Sequence, residues 1–436
     1  MQCSRWTSGW LAAGMMAMML VCSGYDLQEA TAQGTISVDC NAGQTLSDAL
    51  LAAVPGDTLL ISGTCAERVT IMTDRLTLDG QNSAIIDGGG AEPGNTSEGV
   101  VTIQGTQGVV LTGLTVQNGP DGVIGRQGAA FTVRDTIIQD NADDGLQVDE
   151  NSTARVGDCT VQRSGDDGFN ILRTSNITFF GTVVSQNNSD NGFTINTNSN
   201  GFVFTSLAQT PDGVTLQASG NADDGFTVAN GSNVSLSGTQ LILENNGDGG
   251  LVVDNVAHFA IASDSVLTVT NNGGTGIFVR DASHGNLFAS LQTTIANNGG
   301  TGIFVEGTAN VDFFSPATLQ DNGFRNIGIF QNALLNATTL TLSTTDPARI
   351  GIDMDNSTLS LSDSSVTGHG PDVFATFGSR VQLLMTAIST FVCDSLVLVS
   401  SDSGITCPEG LATTSSQRPS PRNTPRIESH TEHSEP

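Results

Sequence analysis

Carboxylates recur in this chain at one place in a repeating turn. Asp121, Asp143, Asp144, Asp166, Asp167, Asp190, Asp223, Asp224 and Asp248 each stand one or two residues before a glycine. If the chain coils, these acids stack. Neighbouring strands lie about 4.8 Å apart, and two charges at that distance repel by about 1–3 kcal/mol at an intermediate dielectric. The first expectation for such a column is a turn role. Asp-Gly and Asn-Gly suit turns that need positive φ, and solvent screens the repulsion. The second is a Ca2+ ion bridging some of the acids, because hard cations take several carboxylate oxygens. Asp143, Asp144, Asp166, Asp167, Asp190, Asp223 and Asp224 are the candidate ligands. Were the column catalytic, Asp167 and the two nearest bases, Arg163 and Arg173, are the candidate groups. Arg163 shares its register with Asp140 one repeat earlier, which predicts a plain salt bridge; Arg173 has no evident partner in the sequence.

Two other columns carry chemistry. Phe278, Phe304 and Phe330 sit two places after their glycines, where an alternating strand points its side chain outward, and Val252 extends the row. An exposed apolar stripe marks a contact. Phenyl rings alone suit a protein partner or an intramolecular cover better than a sugar platform, where the polar edges of Trp and Tyr help. His258 and His284 lie one repeat apart in one column. Two imidazoles can begin a transition-metal site, but their register makes them stand-ins for asparagine in a structural ladder. His369 is isolated in the sequence.

A repeat positions all of these. "NNGGTGIFV" occurs at Asn271 to Val279 and again at Asn297 to Val305. Aligned on its inner glycine, the chain shows Gly122, Gly145, Gly168, Gly192, Gly225, Gly250, Gly276, Gly302, Gly328 and Gly351, spaced by 23, 23, 24, 33, 25, 26, 26, 26 and 23 residues. Such a period signals a solenoid. The residue after each glycine and the one two further on are apolar, as in Leu146/Val148, Phe169/Ile171, Phe193/Ile195, Phe226/Val228, Ile277/Val279 and Ile303/Val305. Period two puts them on one inward face. Four residues before the glycine stands a polar column: Asn118, Asn141, Ser164, Asn188, Asn221, Asn246, Asn272 and Asn298. Eight residues after it stands another: Asn176, Asn200, Asn233, His258, His284, Asn310 and Asn336. Stacked asparagines can hydrogen-bond from coil to coil. The long step contains an insertion, Ser206 to Gly213, expected to project as a loop. Thr45 to Ala53 reads as a short amphipathic helix capping the open end. The expected fold is all-β: a single right-handed parallel β-helix of about twelve coils with a short N-terminal capping helix.

The leader fixes the expected compartment. A single charge, Arg5, precedes an apolar run from Trp10, and "ATAQ" follows with Ala30 and Ala32 in the pattern of a cleavage site. Residues 1–32 read as a signal peptide, residues 33–408 as the β-helix with its caps, and residues 409–436 as a disordered Ser/Pro/Arg-rich tail. The part after the leader has no Trp and no Tyr, and the whole chain has no Lys. The net charge of -29 argues against nucleic acid or an anionic membrane as partner. In an exported chain, Cys40–Cys65 and Cys393–Cys407 are plausible disulfides, which leaves Cys159 as a buried small hydrophobe. Sequons fall on ladder asparagines (Asn176, Asn233, Asn336), where glycans would disrupt the stack, so a bacterial source is expected.

The motifs "LTLDG" at Leu76 to Gly80, "GVVLTGLTVQNG" at Gly108 to Gly119 and the repeated Asp-Asn-Gly or Asp-Asp-Gly turns resemble the parallel β-helix repeat proteins of the pectin-lyase-like superfamily. The resemblance covers Thr35 to Pro408. It implies the fold, and a choice among lyases, hydrolases, epimerases, accessory proteins and adhesins that only a site can make. "GDDG" at Gly165 to Gly168 is similar to the paired-acid motif of polygalacturonases and "GHG" at Gly368 to Gly370 to their histidine motif. Here they stand some 200 residues apart and no lysine exists for the remaining element, so that match fails. An alginate-type epimerase would need a Tyr that the exported part lacks. What remains is an exported non-catalytic scaffold or binding protein for a surface glycan or envelope partner, with a calcium-dependent uronate lyase using an Arg base as the alternative.

Overall fold

The computed structural model describes residues 33–90, 98–203, 213–288, 291–402 and 404–407. The expected leader and tail lie outside these, as does the expected insertion loop apart from Gly213. The described residues form an all-parallel solenoid. Each coil gives one short strand to a sheet of 14 strands and one bent strand, or two, to a sheet of 25. That makes about fourteen coils, slightly more than the glycine count implies. The first two, with strands Val69–Ile71 and Gly99–Gln104, and the last two, with Val373–Thr376 and Phe391–Cys393, lack the glycine motif.

Alternation builds the core as expected. Leu146, Val148, Phe169, Ile171, Phe193, Ile195, Phe226, Val228, Ile277, Ile303 and Val305 are fully buried. Phe169, Phe193 and Phe226 stack inside, with centroids 4.8 and 5.2 Å apart. Each such ring removed from water contributes about 1.5–3 kcal/mol. The N-terminal cap is the helix Leu46–Ala52. Thr45 caps it by accepting from the Asp48 amide at 3.1 Å, and the Glu67 carboxylate accepts from the Leu46 and Ser47 amides at 2.6 and 3.0 Å. Carboxylates suit this end because the first helical N–H groups have no partner within the helix. Disulfides Cys40–Cys65 and Cys393–Cys407 close the two ends, with Cα separations of 5.1 and 5.7 Å. Cys159 is buried and free, and burial pushes its thiol up to about 12.

The glycine ladder has a different cause from the one its turns suggest. None of Gly145, Gly168, Gly192, Gly225, Gly250 and Gly276 has positive φ. A Cβ on any of them would stand 2.6–2.8 Å from the carbonyl oxygen of the next glycine in the ladder. That oxygen is fixed there because it accepts the amide of the residue following each glycine, at 3.0 Å for Leu146 and Phe169. The positive φ falls instead on Asp140, Arg163, Asn187, Asn245, Asn271 and Asn297, just before the buried asparagine or, after Arg163, Ser164. In each "NNGG" the first Asn takes the left-handed conformation and the second joins the ladder.

That ladder is continuous from Asn188 through Asn221, Asn246, Asn272 and Asn298 to Asn322. Each side-chain amide donates to the next side-chain oxygen at 2.9 Å, and each oxygen also accepts the preceding backbone amide at 3.1–3.2 Å. All six residues are buried. Three details depart from the expectation. Asn118 pairs with Asp87 outside the ladder, and Gly119 takes its place, donating to Asn141 at 3.1 Å. Ser164 is too short, so Asn141 Nδ2 and Ser164 Oγ are both buried without a partner. Gly328 is not a ladder glycine: Ile303 pairs with Ile327, so Asn326 holds that position and Gly328 lies beside Phe304. Asn326 extends the chain of amides, accepting from Asn322 at 2.8 Å and meeting His369 Nε2 at 3.0 Å. His369 therefore ends the ladder. The shift also removes Asn336 from the second polar column, since Asn310 pairs with Leu334.

Replacing Asn246 by Ala strands the Asn221 side chain and amide, and should lower unfolding free energy by about 2–4 kcal/mol. Ser164→Asn should raise it by about 1 kcal/mol by bridging Asn141 and Asn188, since Gly145 leaves the same space that Gly168 leaves over Asn188. Denaturant melts of the two variants check both signs.

Candidate functional site: the acidic turn and the outer face of the smaller sheet

The acidic column is two rows. The residues next to the glycine, Asp121, Asp144, Asp167 and Asp224, are buried, with Asn191 completing their row. Asp143, Asp166, Asp190, Asp223 and Asp248 form an outer, half-buried row. The inner row is a second Asx ladder. Asp121 accepts from the Asp144 amide at 2.9 Å, Asp144 from Asp167 at 3.2 Å, Asp167 from Asn191 at 3.0 Å, Asn191 from Asp224 at 3.1 Å and Asp224 from Gly249 at 2.7 Å. The second oxygens of Asp144 and Asp224 are held by residues of the adjoining strands, whereas that of Asp121 is buried without a hydrogen-bond partner. Asp144 Oδ2 accepts from Asn170 at 2.8 Å and Gln147 at 3.2 Å, and Asp224 Oδ2 from Thr227 at 3.2 Å.

Burial sets the electrostatics, and like charge adds to it. Solvent does not screen the inner row as the turn reading assumes. Burial first, then Asp143, pushes Asp121 up to about 8. Burial, then Asp223 and Asp248, pushes Asp224 up to about 7. Asp144 and Asp167 are raised well above the usual range by burial and then by neighbouring carboxylates, and Asp143 and Asp248 are raised for the same two reasons. Carboxylate oxygens of Asp143, Asp144 and Asp166 lie within 4.8 Å of one another, as do those of Asp166, Asp167 and Asp190, and of Asp223, Asp224 and Asp248. Each trio offers hard oxygen donors of the kind calcium takes. Positive φ does not account for these acids, since none of them has it.

Both candidate bases are engaged in ion pairs. Arg163 meets Asp140 at 2.7 and 2.9 Å, as its register implies, and also Gln139 at 2.9 Å. Arg173, unpaired in the sequence reading, forks onto Asp149, its Nε at 2.6 Å. A positive φ of 47° at Arg173 turns its side chain back across one coil to a buried carboxylate. His369 is buried at the ladder's end and is not among the residues bonded to the paired acids of Gly165 to Gly168.

The outer face of the smaller sheet carries the aromatic row. Phe278 and Phe304 are in register on adjacent coils, half-buried, with centroids 5.3 Å apart. Phe330 belongs to this cluster but not to its register: it pairs with Asp355, while its ring reaches back to 5.3 Å from Phe304 over Gly328. A Cβ on Gly328 would stand 2.7 Å from one ring and 3.1 Å from the other. Val252 is almost fully buried beside Phe278. Two arginines that the glycine register does not mark flank the rings. Arg280 lies 5.1 Å from the Phe278 centroid and is paired with Asp254 at 2.7 Å. Arg325 lies 5.1 Å from Phe330 and 5.9 Å from Phe304, paired with Asp353 at 2.5 Å. The signal for Arg280 was its place two residues past Phe278; Arg325 becomes visible only once the Gly328 shift is known.

These features define a right-handed parallel β-helix. A family model described as a right handed beta helix region matches residues 78–208. No curated protein matches the sequence. Among solved structures the chain is similar to the A-module of Azotobacter vinelandii mannuronan C-5 epimerase AlgE4, at 16% identity over 82% of this chain and 98% of that one, with a TM-score of 0.48. It is also similar to pectate lyase Pel9A (15% identity, 72% and 78%, TM-score 0.38) and to tailspike protein 3 of bacteriophage CBA120 (10% identity, 85% and 62%, TM-score 0.35). None of these likenesses speaks to activity.

The raised carboxyls give stability a definite pH dependence. Folded Asp121 and Asp224 hold protons up to about pH 8 and 7, whereas unfolded aspartates lose them near 3.8. Between those limits the native state binds more protons, so stability falls as pH rises. The depressed carboxyls of Asp87, Asp140 and Asp321 act in the opposite sense but only below that window. In chelator-treated buffer the melting temperature should be higher near pH 5 than near pH 8.5, and Asp224→Asn should narrow the gap by raising the value at high pH. A calorimetric scan at both pH values checks it.

Proposed function

We propose that this chain is an exported, non-catalytic β-helix binding protein whose contact surface is the outer face of the smaller sheet around Phe278, Phe304 and Phe330. The observation that carries the reading is the ring cluster itself. Three half-buried phenyl rings and two guanidinium groups share one face, and Gly328 lets two of the rings close over the backbone between them. Residues of that kind are enriched where proteins make contact. A neutral surface glycan fits this face as well as a protein does, because the guanidinium groups of Arg280 and Arg325 set polar donors beside phenyl rings that alone lack them, while a net charge of -29 repels an anionic polymer. The two disulfides suit an oxidising compartment, and the leader reading of residues 1–32 agrees with export.

One observation favours a second reading. The three carboxylate trios can gather Ca2+, which would offset the repulsion of a uronate polymer and make the acidic turn its landing site. Against lyase chemistry there, Arg163 and Arg173 are protonated partners of Asp140 and Asp149, so neither offers a lone pair to abstract a proton.

A panel of neutral glycans, pectate, alginate and glycosaminoglycans, each with and without Ca2+, separates the two. We expect binding of a neutral glycan and no ultraviolet rise from unsaturated uronate. Phe304→Asp should weaken that binding about tenfold or more while leaving the fold intact. Unsaturated product from any uronate would establish the lyase in its place.

A further inference from the structure

The floor of the contact face does not end at the phenyl rings. Its outward column runs in unbroken register from Gln147, Asn170, Thr194 and Thr227 through Val252 to Phe278 and Phe304. At one strand spacing per coil this makes a track about 29 Å long. The outer acids keep step with it. Each backbone amide from Asp166 to Asp248 donates to the carbonyl of the acid one coil earlier, at 3.0–3.2 Å. Gly274 and Gly300 continue that row at 2.7 Å. The acids therefore accompany the floor as far as Val252 and give way to glycine where the phenyl rings begin.

The acidic half of the track offers acceptors. Gln147 and Asn170 both donate to Asp144 Oδ2, at 3.2 and 2.8 Å, and Thr227 donates to Asp224. Asn170 Oδ1 is left buried without a partner. Thr194, 8% exposed, faces Asp167, and its hydroxyl completes no hydrogen bond. Buried polar atoms are normally satisfied, so these two mark a place for an outside partner. Beside them the carboxylates of Asp143, Asp144 and Asp166 gather, and then those of Asp166, Asp167 and Asp190. This half suits a ligand that brings hydrogen-bond donors and repeated positive charge. A protonated primary amine has three donors and no acceptor.

We propose, resting on the glycan reading above, that the bound polymer carries primary amines, as a partly deacetylated N-acetylhexosamine chain does. Its neutral units lie on the phenyl rings and its amine-bearing units on the acidic half of the same track. Arg280 and Arg325 set that polarity, because they flank the rings and repel an amine there. An ammonium group offsets the crowding of the outer acids, among which burial and like charge hold Asp143 and Asp248 above the usual carboxylate range. A single metal ion would engage one trio; a chain of amines engages the whole row.

Chitin-type oligosaccharides, fully acetylated or half deacetylated, test this. They are titrated into the full chain in chelator, at mildly acid pH where their amines are protonated. We expect the half-deacetylated chain to bind about tenfold more tightly, as charge-assisted hydrogen bonds allow, and the gain to shrink as salt is raised. Asp166→Asn/Asp190→Asn keeps both side-chain shapes and removes like charge, so the fold should hold. It should abolish the gain and leave binding of the acetylated chain unchanged. Phe304→Ala should weaken both chains. Equal binding of the two chains, or a gain that survives Asp166→Asn/Asp190→Asn, overturns the proposal and leaves the phenyl face as the contact. Polylysine held as tightly as the half-deacetylated chain overturns it too, because charge alone would then suffice. If neither chain binds, the amino-sugar class is wrong, whereas the glycan reading falls only if every neutral glycan of the panel also fails.

Discussion

Adjacent coils of this solenoid stand one strand spacing apart, about 4.8 Å, so each side chain faces its counterpart in the next coil. Whether a residue type can complement itself at that distance decides what its column does. Carboxamide can, because it donates and accepts at once. Six asparagines from Asn188 to Asn322 therefore run buried through the molecule with both functions satisfied. The same spacing leaves no room for a Cβ beneath them, which is why glycine recurs at the start of the strand.

Carboxylate cannot complement itself while ionised. The inner acidic row keeps the geometry of an Asx ladder, each Oδ1 taking a backbone amide, but its second oxygens need a proton, an amide or a cation. Ionised, the row stores unfavourable free energy. Phenyl rings complement themselves through edge and tilt, and the two imidazoles through stacking, yet both leave something over. In the phenyl case it is an apolar face beside cations; in the imidazole case, ring nitrogens that turn out of their own column to Asn286. The columns that fit themselves least well are the ones with chemistry to offer a ligand.

Much of this was legible in the sequence because a solenoid turns sequence period into spatial stacking. The inward pairs such as Phe226/Val228, the asparagine column and the Arg163–Asp140 pair follow from counting between glycines; the capping helix after Thr45 follows from its amphipathic pattern, and the disulfides from two local cysteine pairs. The failures share that dependence on counting. Gly328 keeps the spacing but not the register, and Phe330 and Asn336 were displaced with it. Asn118 fell one place out for the same reason. Contacts that cross columns had no period to reveal them. Arg173 reaching Asp149, His369 closing the ladder, and Asn286 and Asp312 beside the histidines depend on side-chain lean and on turns that the glycine period does not register. Nor does a period distinguish a screened carboxylate from a buried one, so the division of the acids into two rows needed three dimensions.

Stacking and burial hold the inner acids well above the ordinary carboxylate range, Asp121 at about 8 and Asp224 at about 7. Carboxyl carbon chemical shifts of aspartate-labelled protein, assigned by substituting Asp121 and Asp224 in turn and followed over pH in chelator, measure this directly. The account predicts that Asp224 titrates near 7 and Asp121 near 8. Titration of every aspartate near 4 would contradict it, and would return the acidic turn to an ordinary solvated loop.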